Sequence, residues 1–352
     1  MKAAVLVGKR KIDYKELPDP EPATGEVFVR VSYCGVCGSD VVRFRDGRVQ
    51  SFPLILGHEF SGVVEEIGHN VDESLKGKHV VGVPLVPCMT CEECRAGNYS
   101  LCSNYSFIGS RQPGAFAQYI TVPATNVFPI SDAVDDIQAA FFEPATVALH
   151  AINLVSPRKQ GNVAILGCGT IGIFLAQALK EKGHNIVAFV RSEVRSAAAN
   201  AVGIDQLVNT SEDAWMQLAF DRYAPNGFDY VFDTSGNNEL MVSAFALASK
   251  KGTICMVGTP KKSIEFSVQE WEFLNRKELT VKGSWMSYSM PFPGKEWEQA
   301  ACLFAQGVLF VPEQMIDSIY TLDDIAYGME RLATPGAVSG KLLVNCQEEK
   351  GQ

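Results

Sequence analysis

The residues of this chain that could do chemistry begin with sulfur. The segment CMTCEECRAGNYSLC crowds Cys88, Cys91, Cys94 and Cys102 together. Zinc in a structural site takes four tetrahedral ligands and readily accepts four thiolates, and two-residue gaps let one turn present successive sulfurs to one ion. Such a site contributes folding energy and leaves no open position for a substrate. Four unmetallated thiols or two disulfides fit less well, because the spacing is metal-like and no secretion signal precedes it.

A second set of groups is scattered. Cys37 lies in GVCGSD, His58 and Glu59 in GHEF, and Glu143 in FFEP. A catalytic zinc uses a mixed ligand set and keeps a position for water or substrate. Sulfur, imidazole and carboxylate together suit zinc better than magnesium or calcium. Each motif alone is weak, since Gly-His-Glu arises by chance and Glu-Pro commonly marks a turn. Their joint presence beside the cysteine cluster predicts two zinc ions per chain. Whether Glu59 and Glu143 bind directly, through water or by exchange is left open by the sequence. Cys34 forms a C-x-x-C with Cys37, but no thioredoxin-like context surrounds the pair, and a small core residue is the simpler reading. Cys168, Cys255, Cys302 and Cys346 read as packing residues. His69, His79 and His184 receive no role, and His150 reads as a packed or capping residue of a helix.

The third feature is a glycine turn. Gly167, Gly169 and Gly172, with Thr170 and Ile171, follow the strand-like VAIL and open a helix. In that context G-x-G-x-x-G permits a tight turn and close backbone approach, and the helix N-terminus receives a dinucleotide pyrophosphate. Binders of NAD usually carry an acid at the end of the next strand for the ribose 2′-hydroxyl. Here IVAFV ends in Val190, Arg191 and Ser192. Arg191 and Ser192, supported by Arg195, suit a 2′-phosphate, so NADP is favoured over NAD.

Two kinds of element must position these groups. Up to about Leu149 the chain is rich in Gly, Pro and short β-branched stretches such as VFVRVSY, FSGVVEEIG and KHVVGVPLV, which read as strands joined by turns. SPRKQGN reads as a boundary. Beyond it, NVAILGCGTIGIFLAQALKEKGHNIVAFVRS reads strand, turn, helix, strand, with apolar residues at Ile171, Leu175, Ala178 and Leu179. FDYVFDTSG, GTICMVG and LTVKGSW add further strands, and alternation with helices implies a parallel sheet. The last stretch ends in a predicted strand, GKLLVNC. A chain of 352 residues with 47 % apolar and 20 % charged residues has material for two cored domains. A net charge of −9 without long runs of one sign argues against nucleic acid or an anionic membrane as the main partner. With no signal-peptide h-region and no stretch of membrane-spanning length, the expected location is the cytoplasm.

CGVCGSD, ILGHEFSG, the cysteine cluster, GAFAQY, FFEPATVALHA, GCGTIG and GKLLV together make the chain resemble the zinc-containing medium-chain dehydrogenases over essentially its whole length. The resemblance implies an α/β protein: a GroES-like, mostly β catalytic domain over 1–152 and 290–352 holding both zincs, and a Rossmann domain over 153–289. Cys, His and carboxylates at zinc are the pattern of the polyol branch, which Glu59 and Glu143 fit. Ser39 resembles the family's proton-relay hydroxyl, with a turn or helix-cap serine as the alternative, and Asp40 reads as a capping or orienting carboxylate rather than a reacting one. VPLVPCMTC, YSFIGSRQPGAFAQY and KGSWMSYSMPFPGKEWEQA are similar to members that oxidise galactitol 1-phosphate to tagatose 6-phosphate, with a homodimer or homotetramer implied. That group uses NAD, and the strand-end acid is missing here. A phosphorylated substrate would call for a basic partner among Arg43, Arg45, Arg111 and Lys295, each of which could equally be a solvated surface charge. Trp285, Tyr288 and Phe292 could line a pocket or pack an interface. The alternatives are a dehydrogenase for sorbitol, threonine, butanediol or a simple alcohol, and a non-catalytic zinc- and nucleotide-binding sensor.

Overall fold

Alternating valines build the first strand that matters to the mixed cluster. In β1 (Glu26–Gly35) Val27, Val29 and Val31 are all buried, as the period-two direction of strand side chains requires. Helix α1 (Gly38–Asp46) follows. Cys37 stands extended before it (φ −82°, ψ 151°), and Asp40 Oδ2 accepts the Cys37 amide at 3.1 Å, satisfying a donor at the helix start. Gly47 ends the helix in the left-handed region (φ 67°), its amide donating to the Arg43 carbonyl. β2 (Glu59–Ile67) then pairs antiparallel with β1.

These strands belong to a seven-stranded sheet. Its order is Val127–Pro129, His79–Gly82, β2, β1, the C-terminal strand Lys341–Asn345 and Ile316–Thr321, with Tyr119–Pro123 also on β1. Leu6, Phe44, Leu56, Phe60 and Phe116 fill the core beside it. Helix α2 (Phe142–Val155) carries Glu143 in its first turn. An aromatic cluster anchors that end, with Phe142 stacked on Phe304 at 5.3 Å and tilted against Trp297 at 6.2 Å.

A second compact unit is built from β3 (Asn162–Leu166), α3 (Thr170–Glu181), β4 (Asn185–Val190), α4 (Glu193–Ala201), β5 (Leu207–Asn209), β6 (Phe228–Asp233), β7 (Ala248–Met256) and β8 (Thr280–Gly283). All its strand pairs are parallel, in the order β5-β4-β3-β6-β7-β8. By position this is 3-2-1-4-5-6, the doubly wound dinucleotide-binding arrangement. Val163, Ala164, Ile165 and Leu166 of β3 are buried without alternation, as a central parallel strand covered on both faces should be. In α3, Leu175, Ala178 and Leu179 are buried, while Ile171 is half-buried.

The computed structural model describes residues 1–157 and 160–347. Arg158 and Lys159, within the expected boundary SPRKQGN, lie outside the described residues, as do residues 348–352. The first unit comprises Met1–Pro144, Tyr288–Gln306 and the C-terminal stretch from Ile316, and the second Ala145–Ser287 with Gly307–Met315. The sequence placed its divisions at 152/153 and 289/290. The observed division at Pro144 falls inside α2, where no break in the helix marks it. Among the described residues, no helix is long and apolar enough to cross a membrane.

Candidate metal centres and dinucleotide turn

Cys88, Cys91, Cys94 and Cys102 converge, their sulfurs all within 4.8 Å of one another. The turn does this locally. Cys91 caps the short helix Glu92–Arg95, which carries Cys94, and the single turn Tyr99–Leu101 returns the chain to Cys102. Cys88 Sγ lies 4.0 Å from Cys94 Sγ, and Cys91 Sγ 3.9 Å from Cys102 Sγ. A tetrahedral ion with Zn–S bonds of about 2.3 Å needs sulfurs about 3.8 Å apart, whereas a disulfide needs about 2.05 Å. All ten cysteines are free. The Thr90 hydroxyl and the Thr90 and Cys91 amides donate toward Cys88, bringing its thiol down to about 6. Burial, reinforced by the neighbouring sulfurs, pushes Cys94 up to about 12. Four thiols at this spacing cannot all ionise without a cation among them, and a divalent ion fits that need.

The mixed cluster is assembled from distant segments. Cys37 Sγ, a His58 nitrogen and a Glu59 oxygen lie within 4.8 Å of one another. Cys37 sits where α1 begins, half-exposed, and His58 and Glu59 stand at the start of β2, both buried. Gly57 makes the entry to β2 possible. Its φ of +90° lies in the left-handed region, and a Cβ there would meet the Phe116 ring and Cys34 Sγ. Cys34 itself is fully buried in the apolar core with its thiol pushed up, largely by burial, as an inert packing residue should be.

Charge decides what this cluster can hold. Burial alone would lower His58, but Asp40, whose Oδ1 lies 3.5 Å from Nδ1, raises the imidazole well above its ordinary value. That separation lacks hydrogen-bond geometry, so Nδ1 is buried without a hydrogen-bond partner. Glu59 forms a buried ion pair with Lys341 of the C-terminal strand, yet its Oε2 also lacks a properly directed hydrogen bond. Part of Glu143 remains open at the surface, but its carboxyl is enclosed, and burial followed by the Glu59 charge pushes it up to about 7. Asp40, Glu59, Glu143 and the Cys37 sulfur thus face two fixed cations, Arg43 and Lys341, and one imidazole. A sulfur, an imidazole and carboxylates gathered in largely buried surroundings form a donor set that fits a divalent cation.

In the second unit the glycine turn joins β3 to α3 beside β6, where the strand order reverses. Gly172 has no room for a side chain, because a Cβ would overlap the Gly167 carbonyl oxygen. Gly169 precedes α3, and a Cβ there would meet nothing within 4 Å. The open space lies at the N-terminus of a twelve-residue helix, so the turn fits a pyrophosphate. Val190 ends β4 buried, and Arg191 is exposed just beyond it. Ser192 caps α4 by accepting the Arg195 amide at 3.4 Å. The Arg195 guanidinium is largely buried and lowered by that burial, close enough to Cys168 of the turn for their charges to interact.

Several groups escaped sequence reasoning. Lys341 is the clearest, and a lysine opening the apolar strand KLLVN was the available signal. Thr234, after β6, donates to the Gly167 carbonyl at 2.6 Å and steadies the turn. Among the phosphate candidates, Arg45 is held by Asp46 at 2.7 and 2.8 Å. Arg111 stacks on Tyr105, Lys295 is exposed, and Arg43 is drawn toward Ser39 and Asp40. Trp285 is exposed, whereas Tyr288 is buried, its amide bonded to Ser100 Oγ at 3.1 Å.

Known proteins are similar to this chain in sequence and fold. The profile of the alcohol dehydrogenase GroES-like domain matches residues 23–132, and that of the zinc-binding dehydrogenases matches residues 170–306. Galactitol 1-phosphate 5-dehydrogenase of Escherichia coli K12 is 36 % identical over 320 residues, covering 91 % of this chain and 92 % of the relative. The crystal structure of galactitol-1-phosphate dehydrogenase from Escherichia coli superposes with a TM-score of 0.92 at 35 % identity, covering 98 % of this chain and all of the other. A putative zinc-binding dehydrogenase from Sinorhizobium meliloti, bound to NADP, gives a TM-score of 0.88 at 29 % identity, with 98 % of each chain covered.

Proposed function

Since the chain belongs to the zinc-dependent medium-chain alcohol and polyol dehydrogenases, we propose that it oxidises a secondary alcohol of a sugar-alcohol phosphate, with galactitol 1-phosphate to tagatose 6-phosphate the first pair to assay, and that it prefers NADP. The observation that carries the catalytic reading is the convergence of half-exposed Cys37 with buried His58 and Glu59, with Glu143 electrostatically coupled to Glu59. In this reading Cys37, His58, Glu59 and Glu143 surround a catalytic zinc, and Cys88, Cys91, Cys94 and Cys102 hold a structural one. The phosphate on the substrate is supported by the 36 % identity to the Escherichia coli enzyme of that name.

When bound, the metal supplies Lewis acidity that favours an ionised alcohol near neutral pH, and the nicotinamide supplies the hydride acceptor. The remaining work belongs to the chain. Asp40 faces His58 Nδ1 and orients the imidazole, as a carboxylate behind a ligand histidine commonly does. Lys341 holds Glu59 and offsets its charge. Ser39, half-buried two residues after Cys37, takes up the hydroxyl proton. Gly167, Gly169, Thr170, Ile171 and Gly172 form the pyrophosphate turn.

The NADP preference is supported by the strand end, where Val190 is followed by Arg191 and Ser192 and no acid is present. Charge-assisted hydrogen bonds to phosphate contribute about 1.5–3 kcal/mol. Arg191→Ala is therefore expected to raise KM for NADP by roughly 10- to 100-fold while leaving NAD little changed. The deciding experiment is a panel of phosphorylated and free polyols, run with NAD and NADP side by side. Faster turnover of free sorbitol, threonine, butanediol or a simple alcohol would overturn the substrate class. Equal use of both cofactors would overturn the NADP preference, and no reduction with any alcohol would favour a sensor.

A further inference from the structure

Ser39 and Arg43 lie one turn apart on α1, where residues four apart are neighbours. An arginine so placed on a short helix ordinarily extends into solvent. This one turns inward, with its side chain 17 % exposed. Its Nη1 donates to Ser39 Oγ at 2.7 Å and to Asp40 Oδ1 at 3.1 Å. Asp40 in turn accepts the Cys37 amide and faces His58. A simple counter-ion for Asp40 would not need the shorter contact to Ser39.

A guanidinium has donors and no acceptor. Ser39 Oγ must therefore accept from Arg43, and its single proton is left for another partner. We infer that Arg43 is a positioning residue for the oxidation, one that presets the Ser39 hydroxyl as a proton carrier and holds Asp40 with the same nitrogen. The inference rests on the reading of Ser39 as the group that carries the alcohol proton away. In each turnover the alcohol gives a hydride to the nicotinamide and a proton from its hydroxyl. The hydroxyl proton passes to Ser39 Oγ as Ser39's own proton passes to water, so Ser39 ends neutral and one proton reaches solvent. The fixed Arg43 donor stabilises the oxygen while its proton is leaving and needs no reorganisation to do so.

The test is a double-mutant cycle on the zinc-loaded enzyme with Ser39→Ala and Arg43→Met, measuring kcat, KM, the solvent deuterium isotope effect, zinc content and Tm. Arg43→Met is expected to lower kcat by roughly 10- to 100-fold, the range usual for partners that orient a site. KM for the alcohol and zinc content should stay near wild type, and the isotope effect should rise. In the Ser39→Ala background the same change should cost less than about twofold, because residues acting through one another are not additive. Arg43→Lys keeps a charged donor on a shorter side chain and should recover part of kcat. If Arg43→Met loses zinc or fails to fold, the cycle is run with Arg43→Lys. An unchanged kcat in the Arg43 variant, or equal losses with and without Ser39, overturns the inference and leaves the Ser39 reading standing. Full kcat in Ser39→Ala overturns the Ser39 reading itself, and the inference with it.

Discussion

The four sulfurs of one cluster, and Cys37, His58 and Glu59 of the other, each hold their donor atoms within 4.8 Å of one another, yet the two clusters are built in opposite ways. Cys88, Cys91, Cys94 and Cys102 come from one stretch, and the hydrogen bonds to their sulfurs come from nearby backbone amides and Thr90. Cys37, His58, Glu59 and Glu143 come from α1, β2 and α2, with Lys341 arriving from the C-terminal strand. A contiguous cluster can form as soon as its own turn does, so it suits a staple. A dispersed cluster exists only when the sheet is assembled, so its donors are held by the whole first unit. The sulfur cluster spends all four sulfurs on one another's neighbourhood, whereas the mixed cluster combines sulfur, imidazole and carboxylate donors with a half-exposed Cys37, the features of a site that exchanges something with solvent.

The sharpest way to break this contrast is Cys37→Ser. If the mixed cluster does the chemistry, turnover should fall by more than about a thousandfold, since the Lewis acidity that ionises the alcohol is lost. Metal analysis should fall from two zincs per chain to one, with the Tm close to wild type. Activity that survives would remove the mixed cluster from the mechanism. The counterpart is Cys94→Ser in the sulfur cluster. Here the loss should appear first in stability. A cost of about 3 kcal/mol, modest for a lost metal ligand, lowers the Tm of a unit of this size by roughly 6–12 °C. Residual kcat per folded molecule should remain substantial. If Cys94→Ser abolishes turnover without moving the Tm, the division between staple and catalyst fails.

The same contrast explains what the sequence could reveal. Spacing within CMTCEECRAGNYSLC is a local property, and the glycine turn is bracketed by a strand and a helix that each announce themselves by periodicity. The parallel strands of the second unit were legible for that reason too. Pairings across long separations carry no periodic signal. Nothing around Glu59 points to Lys341, whereas the four-residue spacing of Ser39 and Arg43 on α1 is a local signal that sequence reasoning passed over. The unit boundary was blurred because α2 runs through it as continuous helix, and helix periodicity says nothing about which unit owns which turn.

Removing metal should separate the clusters by pH. In the metal-free protein Glu143 titrates near 7 against 4.5 for an ordinary glutamate. Between those values the folded protein keeps a proton that the unfolded chain has released, so stability from this group is greatest below about 4.5 and falls as pH rises toward 7. One proton sets a slope of at most about 1.4 kcal/mol per pH unit. Urea unfolding of chelator-treated protein at pH 5 and pH 7.5 should show the decline, and Glu143→Gln should flatten it. A decline that persists unchanged in Glu143→Gln would place the titrating group elsewhere.

The smallest expected effect lies on the other side of the comparison. Thr90 Oγ1 lies 3.5 Å from Cys88 Sγ, and hydrogen bonding by Thr90 is the foremost reason the Cys88 thiol is held down at about 6. Thiolates bind metal and thiols do not, so a proton competes less at Cys88 than it would at an ordinary cysteine. Thr90→Ala removes the hydroxyl and leaves the amides of Thr90 and Cys91 in place. Its Cys88 should ionise at higher pH, and zinc should pass faster to a chromophoric chelator below neutral pH, by roughly two- to tenfold given the modest strength of a sulfur hydrogen bond. Turnover should not change, because among the described residues no hydrogen bond or ion pair links the sulfur cluster to Cys37, His58 or Glu59. A fall in kcat with unchanged zinc release would mean that the two clusters are not separate in function, and the contrast between them would have to be redrawn.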